Sequence, residues 1–236
     1  MKLTISLISG LILSMPVLGA PIPIAGYDIN DAIISGHGNW DHSYSGTITP
    51  GDSFANAGWP GTKATYSGVG SGTLNNGIVE TSHDATQLFI EGTATDGTPF
   101  ATAIFSTLSF AYTIDTIEVY GGDFGGNFIP GVLTGMLVTL FGPSGTFSEF
   151  FTTTPFGFPA VSGPASDRIS LVGSSLEGVP AFTVILSEFE GTYANWFSIA
   201  EIKLDGARAP DSAVPEPSTF GLVGAAGLAL GLLRRR

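Results

Sequence analysis

The chain has no cysteine, 3 histidines and only 8 lysine and arginine residues in 236. Without thiols there are no disulfides, no thiolate metal site and no cysteine nucleophile, so a folded body must rely on packing alone or on packing with a bound ion. Cations are scarcer still in the body. Leaving out the first 20 residues and everything after Val214 leaves 4 basic and 19 acidic residues, a net charge of −15. Such a surface repels nucleic-acid phosphates and anionic lipid, and suits cations and neutral sugars. Also missing are the Gly-x-Ser-x-Gly elbow, the His-Glu-x-x-His helix, the Walker loop and the Gly-x-Gly-x-x-Gly fingerprint. No body segment keeps a 3.6-residue apolar stripe over three turns.

What is present punctuates and alternates. There are 33 glycines and 15 prolines between runs rich in Thr, Ile, Val, Phe and Tyr. These runs predict strands at 63–69, 87–91, 101–107, 113–120, 133–141, 147–152, 169–172, 182–188 and 197–204. Met136, Val138 and Leu140 share one face, with Leu137, Thr139 and Phe141 on the other. Phe182, Val184 and Leu186 form a second buried face, and Ala200, Ile202 and Leu204 a third, with Glu201 and Lys203 opposite. The expected fold class is all-β, a β-sandwich or jelly roll over residues 24–206, followed by a linker at 207–213.

The ends read differently. Lys2, an apolar stretch from Leu3 to Val17 and small residues at Gly19 and Ala20 predict a signal peptide over residues 1–20, with cleavage after Gly19 or Ala20. At the other end, Val214-Pro215-Glu216-Pro217 precedes an apolar run from Phe220 to Leu233, and the chain closes on Arg234-Arg235-Arg236. The prolines hold Glu216 in extended backbone that an enzyme can grip. Fourteen helical residues span about 21 Å, short of a hydrocarbon core of ~30 Å, but enough for a transient anchor whose arginines stop at the headgroups. These three elements in this order resemble the PEP-CTERM sorting signal of exported bacterial proteins over residues 214–236, with the membrane helix at 220–233. The resemblance implies processing by an exosortase, export through signal peptidase, transient residence in the inner membrane, and delivery to the cell surface or extracellular matrix.

A second resemblance lies in the body. The run from Trp196 to Gly206 with its Ser198-Ile199-Ala200-Glu201-Ile202 core, the strand Thr113 to Tyr120, and Leu74-Asn75-Asn76-Gly77 followed by Thr81 are similar to discoidin-type, galactose-binding-like jelly rolls. It implies a structural calcium ion held by Asn76, Thr81 and Glu201. Asn76 supplies a neutral oxygen where the family pattern has a carboxylate, which lowers affinity. The alternative is an exposed Glu201 and a turn built on Asn-Asn-Gly.

Other candidates are loop residues. Trp40 and Trp59 would stack on a sugar ring while Asp41, His42 or Asn56 binds its hydroxyls, or would cover an open end of the core. His37 and His42 lie five apart in a loop, and His83 stands alone, so surface or hydrogen-bonding roles are expected. Glu188 and Glu190 would share a strand face, which suits either glycoside hydrolysis or plain solvation. The expected protein is not an enzyme. It is an exported envelope or matrix protein whose β-domain serves adhesion or polymer association, with a carbohydrate-binding module as the alternative and a hydrolase as the outsider.

Overall fold

The computed structural model describes residues 19–35, 42–55, 60–79, 88–90, 92–93, 97–121, 133–152, 165–191 and 197–210. The expected signal peptide up to residue 18, Trp40, Trp59, Thr81, His37, His83 and the whole tail from 211 lie outside them.

Twelve strands and one short 3₁₀ turn make up the described chain. They are β1 (Ala20–Ile22), β2 (Ile24–Ser35), β3 (Thr47–Phe54), β4 (Gly61–Gly70), the turn Thr73–Asn75, β5 (Leu88–Ile90), β6 (Ala103–Gly121), β7 (Leu133–Gly142), β8 (Gly145–Thr152), β9 (Ala165–Ser170), β10 (Pro180–Gly191), β11 (Phe197–Ile199) and β12 (Glu201–Arg208). All pairings are antiparallel. The large sheet runs β3-β4-β2-β6-β10-β7-β8, while β1, β12 and β9 attach through the far half of β6, and β11 pairs with β5.

β6 is the hinge of this arrangement. The sequence suggests two strands, 101–107 and 113–120, but the chain continues through both as a single 19-residue strand. Its first half alternates with Ile104, Ser106 and Leu108 inward, and its last part with Ile117 and Val119 inward. Between them the buried positions step by three, through Ala111 and Ile114. A spacing of three in a period-two strand turns the inward face around the axis. The pairing shows the same corner: β10 passes from Ala181 opposite Tyr112 to Thr183 opposite Thr107. The first half therefore pairs with β2 and β10, and the second with β12 and β9.

One apolar cluster fills the space between the two halves. Ile29, Ile104, Val184, Met136, Val138 and Leu140 come from the large sheet, and Ile117, Ile169, Ile202 and Leu204 from the other side. The expected faces of β7 and β12 are found, but Phe182 leaves the main core for a small cluster with Ala111 and Ala209, because the register slips beside it. β3 went unread in the sequence since it is an exposed edge strand bearing Pro50, which an edge position tolerates.

Close packing leaves no room for a side chain at Gly121, where a Cβ would lie 1.9 Å from the Ser198 carbonyl oxygen. Backbone cannot yield as a rotamer would. Gly121→Ala is therefore expected to cost about 3 kcal/mol by overpacking, read as a lowered midpoint in chemical denaturation. An unchanged midpoint would show that β6 and β11 do not meet as described.

Candidate functional site

The polar groups concentrate around the loop that follows β4. Its residues are fixed one after another by backbone and side-chain hydrogen bonds. Ser45 N–H donates to the Ser71 carbonyl, and Thr73 N–H to the Ser43 carbonyl at 2.9 Å. Ser43 N–H donates to Thr73 Oγ1 at 2.9 Å, Gly72 N–H to Asn75 Oδ1 at 2.9 Å, and Asn75 Nδ2 to the Ile24 carbonyl at 3.1 Å. Asn76 Oδ1 accepts Ile78 N–H at 2.7 Å, an Asx turn typical of Asn-Asn-Gly.

Glu201 lies beneath this loop. Regular alternation on β12 places it beside Lys203, facing solvent, yet only 3% of Glu201 is exposed. The expected outward position is corrected by the loop, which folds over the strand start so that Gly77 N–H donates to Glu201 Oε2 at 3.0 Å. Burial raises its pKa to about 7, against the pull of the Gly77 amide, Lys203 and the Asn76 amide. The structure thus brings Asn76 and Glu201 to one place. It meets the carboxylate there with amide donors, and no group of three His, Asp or Glu side chains suited to a metal ion occurs among the described residues.

Four rings pack beside the loop. Tyr27 from β2 and Tyr66 from β4 are each 1% exposed. The Tyr27 hydroxyl lies 2.7 Å from His42 Nε2 and accepts Leu74 N–H at 3.5 Å, while Tyr44 accepts Gly70 N–H at 3.0 Å and reaches the Tyr27 carbonyl at 2.8 Å. The His42 ring stands edge-on to Tyr27 and Tyr66. Burial pushes His42 down to about 3 and raises both Tyr27 and Tyr44. His42 Nδ1 is buried with no partner among the described residues. All three groups stay uncharged at neutral pH, so the cluster is a neutral polar plug. The sequence offered His42 as a loop residue for sugar hydroxyls or, with His37, for a metal. Its Nε2 is taken by Tyr27, and the hydrogen-bonding role is the one observed. Tyr27 and Tyr66 were missed; their only signal was an inward position on their strands.

Glu188 and Glu190 do not form a simple i, i+2 pair. Glu188 has a left-handed backbone, φ 46°, and the register slips from Ser187 opposite Leu137 to Glu190 opposite Gly135. This is a β-bulge. It moves Phe189 onto the core, where continued alternation after Leu186 would have put the glutamates.

Residues 213–236 match the family model for the PEP-CTERM protein-sorting motif. The chain carries a PEP-CTERM sorting signal. Those residues include Val214, Pro215, Glu216, Pro217 and the closing arginines. The motif implies an exported chain, processed by exosortase and sorted to the cell surface. No curated protein matches the chain. Among solved structures it is similar to the lectin domain of lectinolysin complexed with Lewis B antigen, at 13% identity and TM-score 0.37, covering 57% of this chain and 82% of that one. It is also similar to the family 32 carbohydrate-binding module of C. perfringens NanJ in complex with galactose, at 12% identity and TM-score 0.39, covering 72% and 97%. A third is the CBM32-2 module of a GH31 protein bound to GalNAc, at 9% identity and TM-score 0.38, covering 69% and 98%. Likenesses this loose carry no ligand or site to the PEP-CTERM chain.

The raised pKa of Glu201 gives a pH test. The unfolded carboxyl titrates near 4.5 and the folded one near 7, so the folded state binds more protons between them. Stability falls as pH rises through that window. His42 acts oppositely, since its neutral folded form costs stability as pH drops below about 6.5 towards 3. Because His42 contributes equally to the wild-type chain and to Glu201→Gln, the Glu201 contribution is read as a difference: in chelator, the wild-type chain should lose stability relative to the variant as pH rises from 5 to 7.5. A difference between the two that does not change with pH would place the proton elsewhere.

Proposed function

We propose that the protein is an exported cell-envelope or extracellular-matrix component, sorted through its tail by exosortase, whose β-domain is non-enzymatic and serves adhesion or polymer association. The observation that carries this reading is the sorting signal at residues 213–236. The export half follows from it. The passive role of the body rests on the state of its polar groups: His42, Tyr27 and Tyr44 are engaged with one another and held uncharged, and Glu201 is sealed under a loop. General acid and base work needs groups with reach to a substrate. The alternative, a carbohydrate-binding module in its own right, is favoured by the exposed Phe150 ring beside Glu190 on the outer face of the large sheet, described below.

In this reading, signal peptidase removes the leader after Gly19 or Ala20. The apolar run 220–233 then holds the chain in the inner membrane with Arg234 to Arg236 on the cytoplasmic side, until exosortase acts at Pro215-Glu216-Pro217. Intact-mass measurement of native material tests this: the mature protein should lack the apolar run and the arginines, and Glu216→Ala should leave an uncut, membrane-held form. Full-length material ending at Arg236 in cells with active exosortase would contradict it.

A structural calcium ion on Glu201, with Asn76 and Thr81, belongs to the same proposal. A buried carboxylate whose proton is held to about pH 7 gains more from a cation than an exposed one does. Calcium should raise the melting midpoint of the full chain by several degrees, about 2.7 kcal/mol at a hundredfold excess over Kd, and Glu201→Gln should abolish the rise. Equal effects of calcium and magnesium, insensitive to Glu201, would reduce the ion to general screening.

A further inference from the structure

The two outer faces of the molecule differ in charge. Outside β12, β6 and β9 the register sets Lys203 against Glu118, Glu118 against Arg168, and Asp205 against Thr116. On β6, β10, β7 and β8 of the large sheet the outer rows carry none of this, although the first of them meets Asp28 on the neighbouring β2. From β6 across β10 and β7 to β8, one row of register partners reads Phe105, Ile185, Thr139, Ser148. The row on one side reads Thr107, Thr183, Phe141, Thr146, and on the other Leu137 stands against Phe150. In a body of net charge −15 this strip, roughly 14 Å across four strands, holds no ionisable side chain. Thr183 and Thr139 are buried within it, 4% and 9% exposed, while Thr146 and Ser148 on β8 are exposed; Ser148 Oγ and Thr139 Oγ1 share one hydrogen bond at 2.8 Å.

One end of the strip is built around a ring. Phe150 is 42% exposed, and its ring reaches across to Gly135 on β7, where a Cβ would lie 2.9 Å from Phe150 Cζ. The glycine is what lets the ring lie there. The same point is 3.3 Å from Glu190 Oε2, the carboxylate that the bulge at Glu188 brings opposite Gly135. An exposed aromatic ring, a carboxylate beside it and the exposed hydroxyls of Thr146 and Ser148 form a recognition set for hydroxylated rings: the ring stacks on an apolar sugar face, while the carboxylate and hydroxyls bond the equatorial oxygens. The surrounding field of carboxylates excludes an anionic polymer.

We propose that the outer face of β6, β10, β7 and β8, centred on Phe150, Glu190 and Ser148, binds a neutral polysaccharide strand. This deepens the polymer-association reading and rests on it. The strip runs across the strands, so the polymer lies over several of them, and the face is separate from the loop plug at Tyr27 and His42.

Affinity electrophoresis of the full chain in native gels containing neutral glucans and galactans tests the proposal, with polygalacturonate as the anionic control. Retardation by a neutral polymer, absent with the anionic one, is expected. Phe150→Ala should weaken it about fivefold, the worth of one aromatic stacking contact. Gly135→Ala keeps the ring but lifts it from its seat and should weaken binding too. Phe147→Ala removes a similarly exposed ring, 39% exposed, from the other face of the same strand and should not. Melting midpoints of the three variants report whether each is folded. Retardation equal in all three would overturn this face and leave the polymer-association reading standing. No retardation by any neutral polymer would take both. A concentration-dependent dimer abolished by Phe150→Ala would assign the face to a second copy of the chain and overturn the proposal.

Discussion

Everything in the body hangs on β6, because one strand serves both halves of the core. Its first half sits in the centre of the large sheet between β2 and β10, and its second half carries β12 and β9. The change of inward face through Ala111 and Ile114 turns a single backbone from one layer to the other. A chain with no cysteine has no covalent tie between its layers. Continuity of hydrogen bonding through β6 does that work instead, and the two inner faces then exclude water from a common apolar cluster.

Two further features depend on that frame. The loop after β4 is fastened by its own hydrogen bonds and then closed onto the start of β12 through Glu201, so residues far apart in sequence, Gly77 and Glu201, meet as a buried amide–carboxylate contact. On the outer face of the large sheet, the bulge in β10 keeps Glu188 and Glu190 from pointing into the core and sets Glu190 opposite Gly135, beside the exposed ring of Phe150. The first feature is a closure held partly by a carboxyl near neutrality. The second is a surface suited to association.

Sequence reading recovered much of this and failed for identifiable reasons. Alternation found the inner face of β7 at Met136, Val138 and Leu140 and that of β12 at Ile202 and Leu204, since period two survives wherever one face is buried. It split β6 at the place where the period slips to three, and it missed β2, where Gly26, Asp28 and Asn30 interrupt the apolar run. Glu201 was put on the solvent side because alternation knows nothing of a loop arriving from more than 100 residues away. Tyr27 and His42 were invisible as a pair for the same reason. The tail was the most legible part, because its function lies in a linear string of residue types that needs no tertiary partner.

The sorting signal is a linear string at the end of the chain, and the proposed association belongs to the sheet before it. Rigidity of that sheet is the claim on which the account turns, and native-state hydrogen exchange measures it directly. The amides of residues 103–108 and 114–121 should exchange with one common free energy equal to that of global unfolding, since both halves of β6 belong to one cooperative unit. Exchange of 114–121, together with β12 and β9, at a clearly lower free energy than the first half would show two separable layers and contradict it.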